Sequence, residues 1–168
     1  TPSQLSELFS VLPHEQMTNL MALLSPEQAD RVRAILSERE AKAKDIMSSK
    51  FMTTPKEATV GHLLERVRLS GVEPEAISYI YVVNVDQQTL VGVVDLRDLL
   101  LTADHMTLGE IMVSPVVVAE ENDIREDLAE MFAKYHYRMI PVVDEQDHIR
   151  GVIHYNDIMK DLVTRVKI

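Results

Sequence analysis

The sequence predicts an α+β protein: a short all-helical segment followed by two copies of a strand–helix–strand–strand–helix module. Internal duplication is the first reason. Leu90-Val91-Gly92-Val93-Val94-Asp95-Leu96-Arg97-Asp98-Leu99 aligns without a gap on Ile149-Arg150-Gly151-Val152-Ile153-His154-Tyr155-Asn156-Asp157-Ile158. Upstream of each copy stands a β-branched run, Ile80-Tyr81-Val82-Val83-Asn84 and Ile140-Pro141-Val142-Val143-Asp144. The second reason is a change of period, since residues 1–44 carry apolar residues at helical spacing and no strand-like alternation. A duplicated module implies a pseudo-symmetric pair, and clefts between paired modules are common ligand sites.

The helical segment repeats at a spacing of twelve. Val11-Leu12-Pro13-His14-Glu15-Gln16 is echoed by Leu23-Leu24-Ser25-Pro26-Glu27-Gln28, and Ile35-Leu36-Ser37-Glu38 continues the series. Each unit predicts one short helix, with a cap or proline at its start and an early glutamate for the dipole. Leu20, Leu23 and Leu24 form one apolar stripe; Ala29, Val32, Ile35 and Leu36 form the next. Ser37 to Lys44, charged and alanine-rich, suits a continuous helical linker.

The first module (residues 45–107) opens at Asp45-Ile46-Met47, with a strand near Phe51 to Thr54 bounded by Pro55. Thr59 caps a predicted helix through Val67, the strands Tyr79–Asn84 and Leu90–Val94 form a hairpin around Asp86-Gln87-Gln88, and a helix runs from Asp95 to Leu101. The second module (residues 108–168) repeats this order: strand Val116–Ala119, helix Ile124–Tyr135, strands Met139–Val143 and Ile149–Ile153, and a helix from Tyr155 to the end. The surplus length of the first module falls in the turn-rich Ser70-Gly71-Val72-Glu73-Pro74-Glu75.

Composition narrows the function. Cysteine is absent, so disulfides, thiolate metal sites and cysteine nucleophiles are excluded. A formal net charge of −10 argues against nucleic acid, which needs a basic face. The acidity lies on the modules: residues 1–44 carry 5 basic and 6 acidic side chains, residues 45–107 carry 5 and 9, and residues 108–168 carry 7 and 12. Such a surface aids solubility and attracts divalent cations. None of the histidines pairs with another at helical i, i+4 spacing, so zinc has little support. No Gly-x-Ser-x-Gly elbow occurs, and 5 glycines in the whole chain leave no phosphate loop, so no catalytic residue is assigned and no enzyme is expected. The chain has no membrane-spanning run, and its start at Thr1 rather than methionine suggests a fragment or a processed chain.

The module order, the segment Ile-Pro-Val-Val-Asp at 140–144 and the aspartate six residues after each of Gly92 and Gly151 resemble a tandem pair of CBS domains. That resemblance implies two modules packed through their sheets into a disc, with two clefts able to take AMP or ATP, and association into a flat homodimer. The helical prefix, Ser78-Tyr79-Ile80-Tyr81-Val82-Val83 and Leu96-Arg97-Asp98-Leu99 are similar to the cytosolic region of MgtE-type magnesium transporters. The implied role is a regulatory domain on the cytoplasmic side of the membrane, which senses Mg2+ and acts on a transmembrane transporter domain of the parent chain. An adenine-nucleotide sensor and a dimerisation scaffold are the alternatives.

Two departures stand out. The family's Ser or Thr three residues before the ribose-binding aspartate is here Asp95 and His154, and a carboxylate at Asp95 would repel phosphate. The segment Asp157-Ile158-Met159-Lys160-Asp161-Leu162-Val163-Thr164-Arg165-Val166-Lys167 also carries basic residues where the family has an acidic helix.

Magnesium prefers carboxylates and keeps several waters. Glu120, Glu121 and Asp123 lie together at a strand-to-helix turn, although Asp123 with Glu126 also reads as a helix start; Asp95, Asp98 and Asp104 surround the end of the first module. For a nucleotide, the resemblance places the cleft wall at Val116, Val117 and Val118 with Ile140 and Pro141 beside them. Asp157 would accept from ribose hydroxyls, Arg138 would meet phosphate, and His154 would border the site. Asp98 has three roles open to it: ribose contact, pairing near Arg97, or facing an ion. Tyr79 and Tyr81 alternate with Ile80, share one sheet face and are expected to pack at an interface.

Overall fold

The structure is a computed structural model that describes residues 14–166 together with Gln4, Leu8 and Leu12; Val11, Pro13 and Lys167 lie outside the described residues. The prefix forms α1 (His14–Met21) and α2 (Pro26–Glu40). Ser25 Oγ accepts from the Gln28 amide at 3.3 Å while the Ser25 amide donates to Gln28 Oε1 at 3.2 Å, so two orphan donors at the start of α2 are satisfied reciprocally. The third unit begins no helix of its own. Ser37 sits inside α2 and donates its hydroxyl back to the Ala34 carbonyl at 2.9 Å, so it is spent within the turn instead of capping a new one. Ala29 and Val32 are buried as the stripe requires, whereas Leu23 is 81% exposed.

The linker is not a continuous helix either. Ala41 and Lys42 are extended. They break the helix because the next residues bond to the second module: the Ala43 amide donates to Asp123 O at 2.8 Å and the Lys44 amide to Glu121 O at 3.0 Å. A single turn, α3 (Ala43–Ile46), then leads into the first module.

That module contains β1 (Met52–Pro55), α4 (Val60–Leu69), a 3-10 turn at Pro74–Ile77, β2 (Tyr79–Val83), β3 (Leu90–Asp95) and α5 (Leu96–Leu101). The second contains α6 (Leu108–Ile111), β4 (Ala119–Glu120), α7 (Arg125–Tyr135), β5 (Met139–Val143), β6 (Ile149–His154) and α8 (Tyr155–Val166). Each sheet has three strands in sequence order, the first pair parallel and the second antiparallel, with a register shift after Val82 in one and after Val142 in the other.

Two boundaries differ from expectation. The strand predicted at Val116–Ala119 shrinks to Ala119–Glu120, because Val116, Val117 and Val118 are half-buried without joining the ladder; β-branched residues fit any such surface. The helix predicted from Ile124 begins at Arg125. Asp123 turns back to accept the Glu120 amide at 2.8 Å, and Asp127 accepts the Ile124 amide at 3.2 Å.

The modules exchange their lead-in segments. Ala43, which precedes the first module's sheet, is fully buried in the second module's core with Ala119, Leu128, Phe132, Ile140, Val142 and Ile153. Leu108, at the start of the second, lies in the first module's core with Val60, Leu63, Ile80, Val94 and Leu99. Every such link occurs twice. Ser48 bridges to Val152 as Val113 bridges to Val93, and Lys42 to Ile124 as Thr107 to Thr59. Tyr81, Met139 and Val152 seal the sheets against each other, with Phe51, Tyr79, Leu90, Val93 and Ile149 around them.

The paired glycines follow from this exchange. A Cβ at Gly151 would stand 2.7 Å from Met47 Cγ and Sδ and 2.9 Å from Ser48 O, and one at Gly92 would stand 2.8 Å from Met112 Cβ and Cγ. A side chain there must push the crossing segment away. Gly151→Ala is therefore expected to cost about 1–3 kcal/mol of folding stability, measured by urea denaturation; a midpoint equal to the unsubstituted protein would contradict the close approach.

Candidate functional site

A cleft opens where the two sheets meet. It is lined by Tyr79, Tyr81 and Val93 from the first module and by Val113, Pro115, Val116, Val117, Tyr137, Met139 and Pro141 from the second. β2 places Tyr79 and Tyr81 on one face, with Tyr81 1% exposed at the floor and Tyr79 half-buried nearer the mouth. Tyr137 meets Tyr79 edge-on at 6.1 Å and stacks on Tyr135 at 5.7 Å. The cavity left between them is about 30 Å3. That is room on the scale of a single water, so a purine enters only if Tyr79 and Tyr137 part. The Tyr81 hydroxyl is buried without a hydrogen-bond partner, and burial pushes its pKa far up, so it stays protonated.

The mouth carries the charges. Asp95 is the cross-strand neighbour of Tyr79. Its Oδ1 accepts the Arg97 amide at 2.9 Å, capping α5, and its two oxygens accept Arg97 Nε at 3.1 and 3.2 Å and Nη2 at 2.6 Å. Arg138 reaches across from the other module, with Nη2 at 3.4 Å from Asp95 Oδ2 and its guanidinium carbon 5.7 Å from the centre of the Tyr79 ring. The hydrogen-bonded Arg97 guanidinium holds the Asp95 carboxyl below the usual carboxylate range, against a smaller opposite effect of partial burial; Arg138 adds to the lowering.

A second cavity, of about 390 Å3, is acidic. Glu120, Glu121 and Asn122 line it with Asp144, Glu145 and Asp147 of the second hairpin turn. Arg150 Nε stands 3.8 Å from Glu121, on its flank. Asp144 is partly committed: desolvation alone would raise its pKa, but amides of His148 and Gln146 and the His148 ring together lower it. His148 Nδ1 lies 3.1 Å from Asp144 Oδ2 and its Nε2 3.0 Å from the Gln87 carbonyl, tying this turn to the hairpin of the other module.

The residues chosen from sequence scatter over these places. Val116, Val117 and Pro141 line the cleft and Arg138 stands at its mouth, while Val118 faces the acidic cavity and a groove beside α7. Ile140 is fully buried in the second core, and so is corrected from cleft wall to core residue. His154 is a half-buried ladder partner of Met139, and Asp157 is exposed on the first turn of α8. Asp98 is exposed as well, with its carbonyl accepting from Thr102 Oγ1 at 2.7 Å; the residue that Arg97 pairs with is Asp95. Asp104 lies against Gly61, whose amide it accepts at 3.0 Å. Among the described residues no three His, Asp or Glu side chains converge in a metal-holding group. Asp95, Asp98, Asp104, Glu120, Glu121 and Asp123 thus do not form one site within the chain, and Asp123 is spent on its turn. Sequence reasoning missed Tyr137 at the cleft and Asp144, Glu145 and Asp147 at the acidic cavity, which only the fold brings near their partners; it also missed Arg97, whose partner Asp95 lies two residues away and which the Asp-x-Arg spacing could have signalled.

A sequence model of the CBS domain family matches residues 43–104 and 108–164. The chain belongs to the CBS domain family, as a tandem pair. The CBS pair is 31% identical over 120 residues to the magnesium transporter MgtE of Thermus thermophilus, covering 71% of this chain and 26% of the relative. It is also 29% identical over 121 residues to the inosine-5'-monophosphate dehydrogenase of Bacillus subtilis, covering 70% of this chain and 23% of the relative. The chain thus spans about a quarter of the length of these curated relatives. Among solved structures, the cytosolic domain of the Mg2+ channel MgtE in complex with ATP superposes with a TM-score of 0.68 at 25% identity, over 96% of this chain and 75% of that one. No helix among the described residues is long and apolar enough to cross a membrane.

The Asp95 cluster makes stability depend on acidity in a defined sense. A carboxyl whose folded pKa lies below its unfolded value of about 3.9 stabilises the fold above that pH and loses the contribution as pH falls through the folded value. Asp95→Asn, which keeps a capping side chain, is expected to lower urea stability at pH 7 and to cost progressively less as pH falls below the unfolded carboxyl value of about 3.9. An equal loss at every pH would mean that the ion pairs contribute nothing.

Proposed function

We propose that this CBS pair is the regulatory part of a magnesium transporter. It would stand on the cytoplasmic side of the membrane, pair with a second copy of itself and act on a transmembrane domain elsewhere in the parent chain. The observation that carries this reading is the similarity to MgtE, which runs through both modules and is stronger than the similarity to the dehydrogenase. The acidity of the modules supports it. Glu120, Glu121, Asp144, Glu145 and Asp147 face one cavity and repel one another. A hydrated Mg2+ held through its waters lowers that repulsion and favours whichever arrangement brings acidic surfaces together. Asp98 and Asp104, exposed near the end of the first module, are further carboxylates that a facing surface would meet through an ion. The mechanism is a population shift: the ion binds the compact arrangement better, and the compact arrangement closes the attached pore. The chain performs no catalysis in this reading.

A second reading has its own observation. The aromatic cleft, with Arg97 and Arg138 at its mouth and the buried hydroxyl of Tyr81 at its floor, has the chemistry to hold an adenine nucleotide once Tyr79 and Tyr137 separate. Titration with Mg2+ and with metal-free ATP or AMP, followed by melting temperature and hydrodynamic radius, tells the readings apart. Mg2+ is expected to raise the melting temperature and shrink the radius; at a hundredfold excess over Kd the added stability is about 2.7 kcal/mol. A response to nucleotide alone would replace the first reading with the second, and silence toward all three would leave a dimerisation scaffold.

A further inference from the structure

The geometry points to Asp95 as a resident carboxylate filling a two-arginine anion site at the cleft mouth, so that the cleft disfavours a phosphate-bearing ligand until Asp95 is displaced. This rests on the reading that the cleft takes an adenine nucleotide.

The two guanidiniums come from different modules and meet on one carboxylate. Arg97 engages both Asp95 oxygens, and Arg138 adds a longer contact of 3.4 Å. The Asp95 side chain is 15% exposed, whereas those of Arg97 and Arg138 are 72% and 50% exposed. The carboxylate thus lies beneath two cations that open to solvent. A guanidinium fork fits phosphate as it fits carboxylate, so the same donors serve either anion. The position is at the cleft, because Asp95 pairs across the ladder with Tyr79 and Arg138 covers the ring of Tyr79.

A phosphate arriving there meets donors already satisfied and a buried negative charge beside them. An uncharged nucleoside meets neither obstacle. Arg138, whose hold on Asp95 is one longer contact beside its place over the Tyr79 ring, is the donor a phosphate would capture first, and its capture breaks the Asp95–Arg138 link between modules.

Asp95→Ser is the decisive variant, because serine keeps the cap that the Arg97 amide needs. Calorimetric titration of adenosine and AMP into the unsubstituted protein is expected to give AMP no tighter than adenosine. In Asp95→Ser, AMP should tighten by about tenfold or more while adenosine stays within about twofold, and Arg138→Gln in the same background should reverse the gain. Inorganic pyrophosphate, used as a probe that needs no base pocket, should raise the melting temperature of Asp95→Ser and not of the unsubstituted protein. If adenosine binds but the AMP preference is the same with and without Asp95, the anion site is wrong and the nucleotide cleft stands. If pyrophosphate stabilises Asp95→Ser while no protein binds adenosine, the anion site stands and the nucleotide cleft falls. Failure of both arms overturns both.

Discussion

Reciprocal exchange of the lead-in segments is the constraint on which the rest of the molecule depends. Met47 crosses over Gly151 and Met112 over Gly92, so each module's sheet is covered by a piece of chain belonging to the other. Neither core is complete alone: removal of Ala43 opens the second and removal of Leu108 the first. The arrangement also fixes where a cleft can form. Tyr81, Met139 and Val152 pack between the sheets, and the cleft opens beside them, with Tyr81 and Met139 in its wall and Tyr79 and Tyr137 nearer its mouth.

Much of this was legible in the sequence, and the reason is the repeat itself. Residues Leu90–Leu99 and Ile149–Ile158 carry the same local instructions twice, so strand, glycine and helix start were each read with an internal control. Thr59 and Ser25 behaved as their cap chemistry implies. Failures came from a local hydrogen bond in one case and from tertiary contacts in the others. Ser37 has the composition of a cap, yet α2 runs through it. Ala41 and Lys42 sit in a helix-favouring stretch, yet hydrogen bonds donated by the Ala43 and Lys44 amides to carbonyls of the second module accompany an extended chain there. Val116 to Val118 look like a strand and instead wall cavities.

The candidate site was half legible for a related reason. A single side chain reveals its type but not its partner. Asp95 read as a bare charge hostile to phosphate, and the fold places two arginines on it, one of them 43 residues away. Glu120 and Glu121 read as an acidic turn, and the fold adds a second acidic turn opposite them. Two carboxylate groupings of similar composition thus end in different surroundings, one with two arginines on a single carboxylate and the other with several carboxylates flanked by one arginine and one imidazole.

The His148 contact has a mechanical consequence. By joining Asp144 to the Gln87 carbonyl, that imidazole links the two hairpin loops. At the strand ends away from those loops, where Tyr79 pairs with Asp95, the halves meet through an aromatic edge and a 3.4 Å ion pair. The two ends of the interface are thus held by different chemistry, imidazole hydrogen-bond contacts at one and a ring edge with an ion pair at the other. Parting Tyr79 from Tyr137 therefore strains the ring edge and the Asp95–Arg138 pair first, while the His148 contacts and the exchanged segments keep the modules joined.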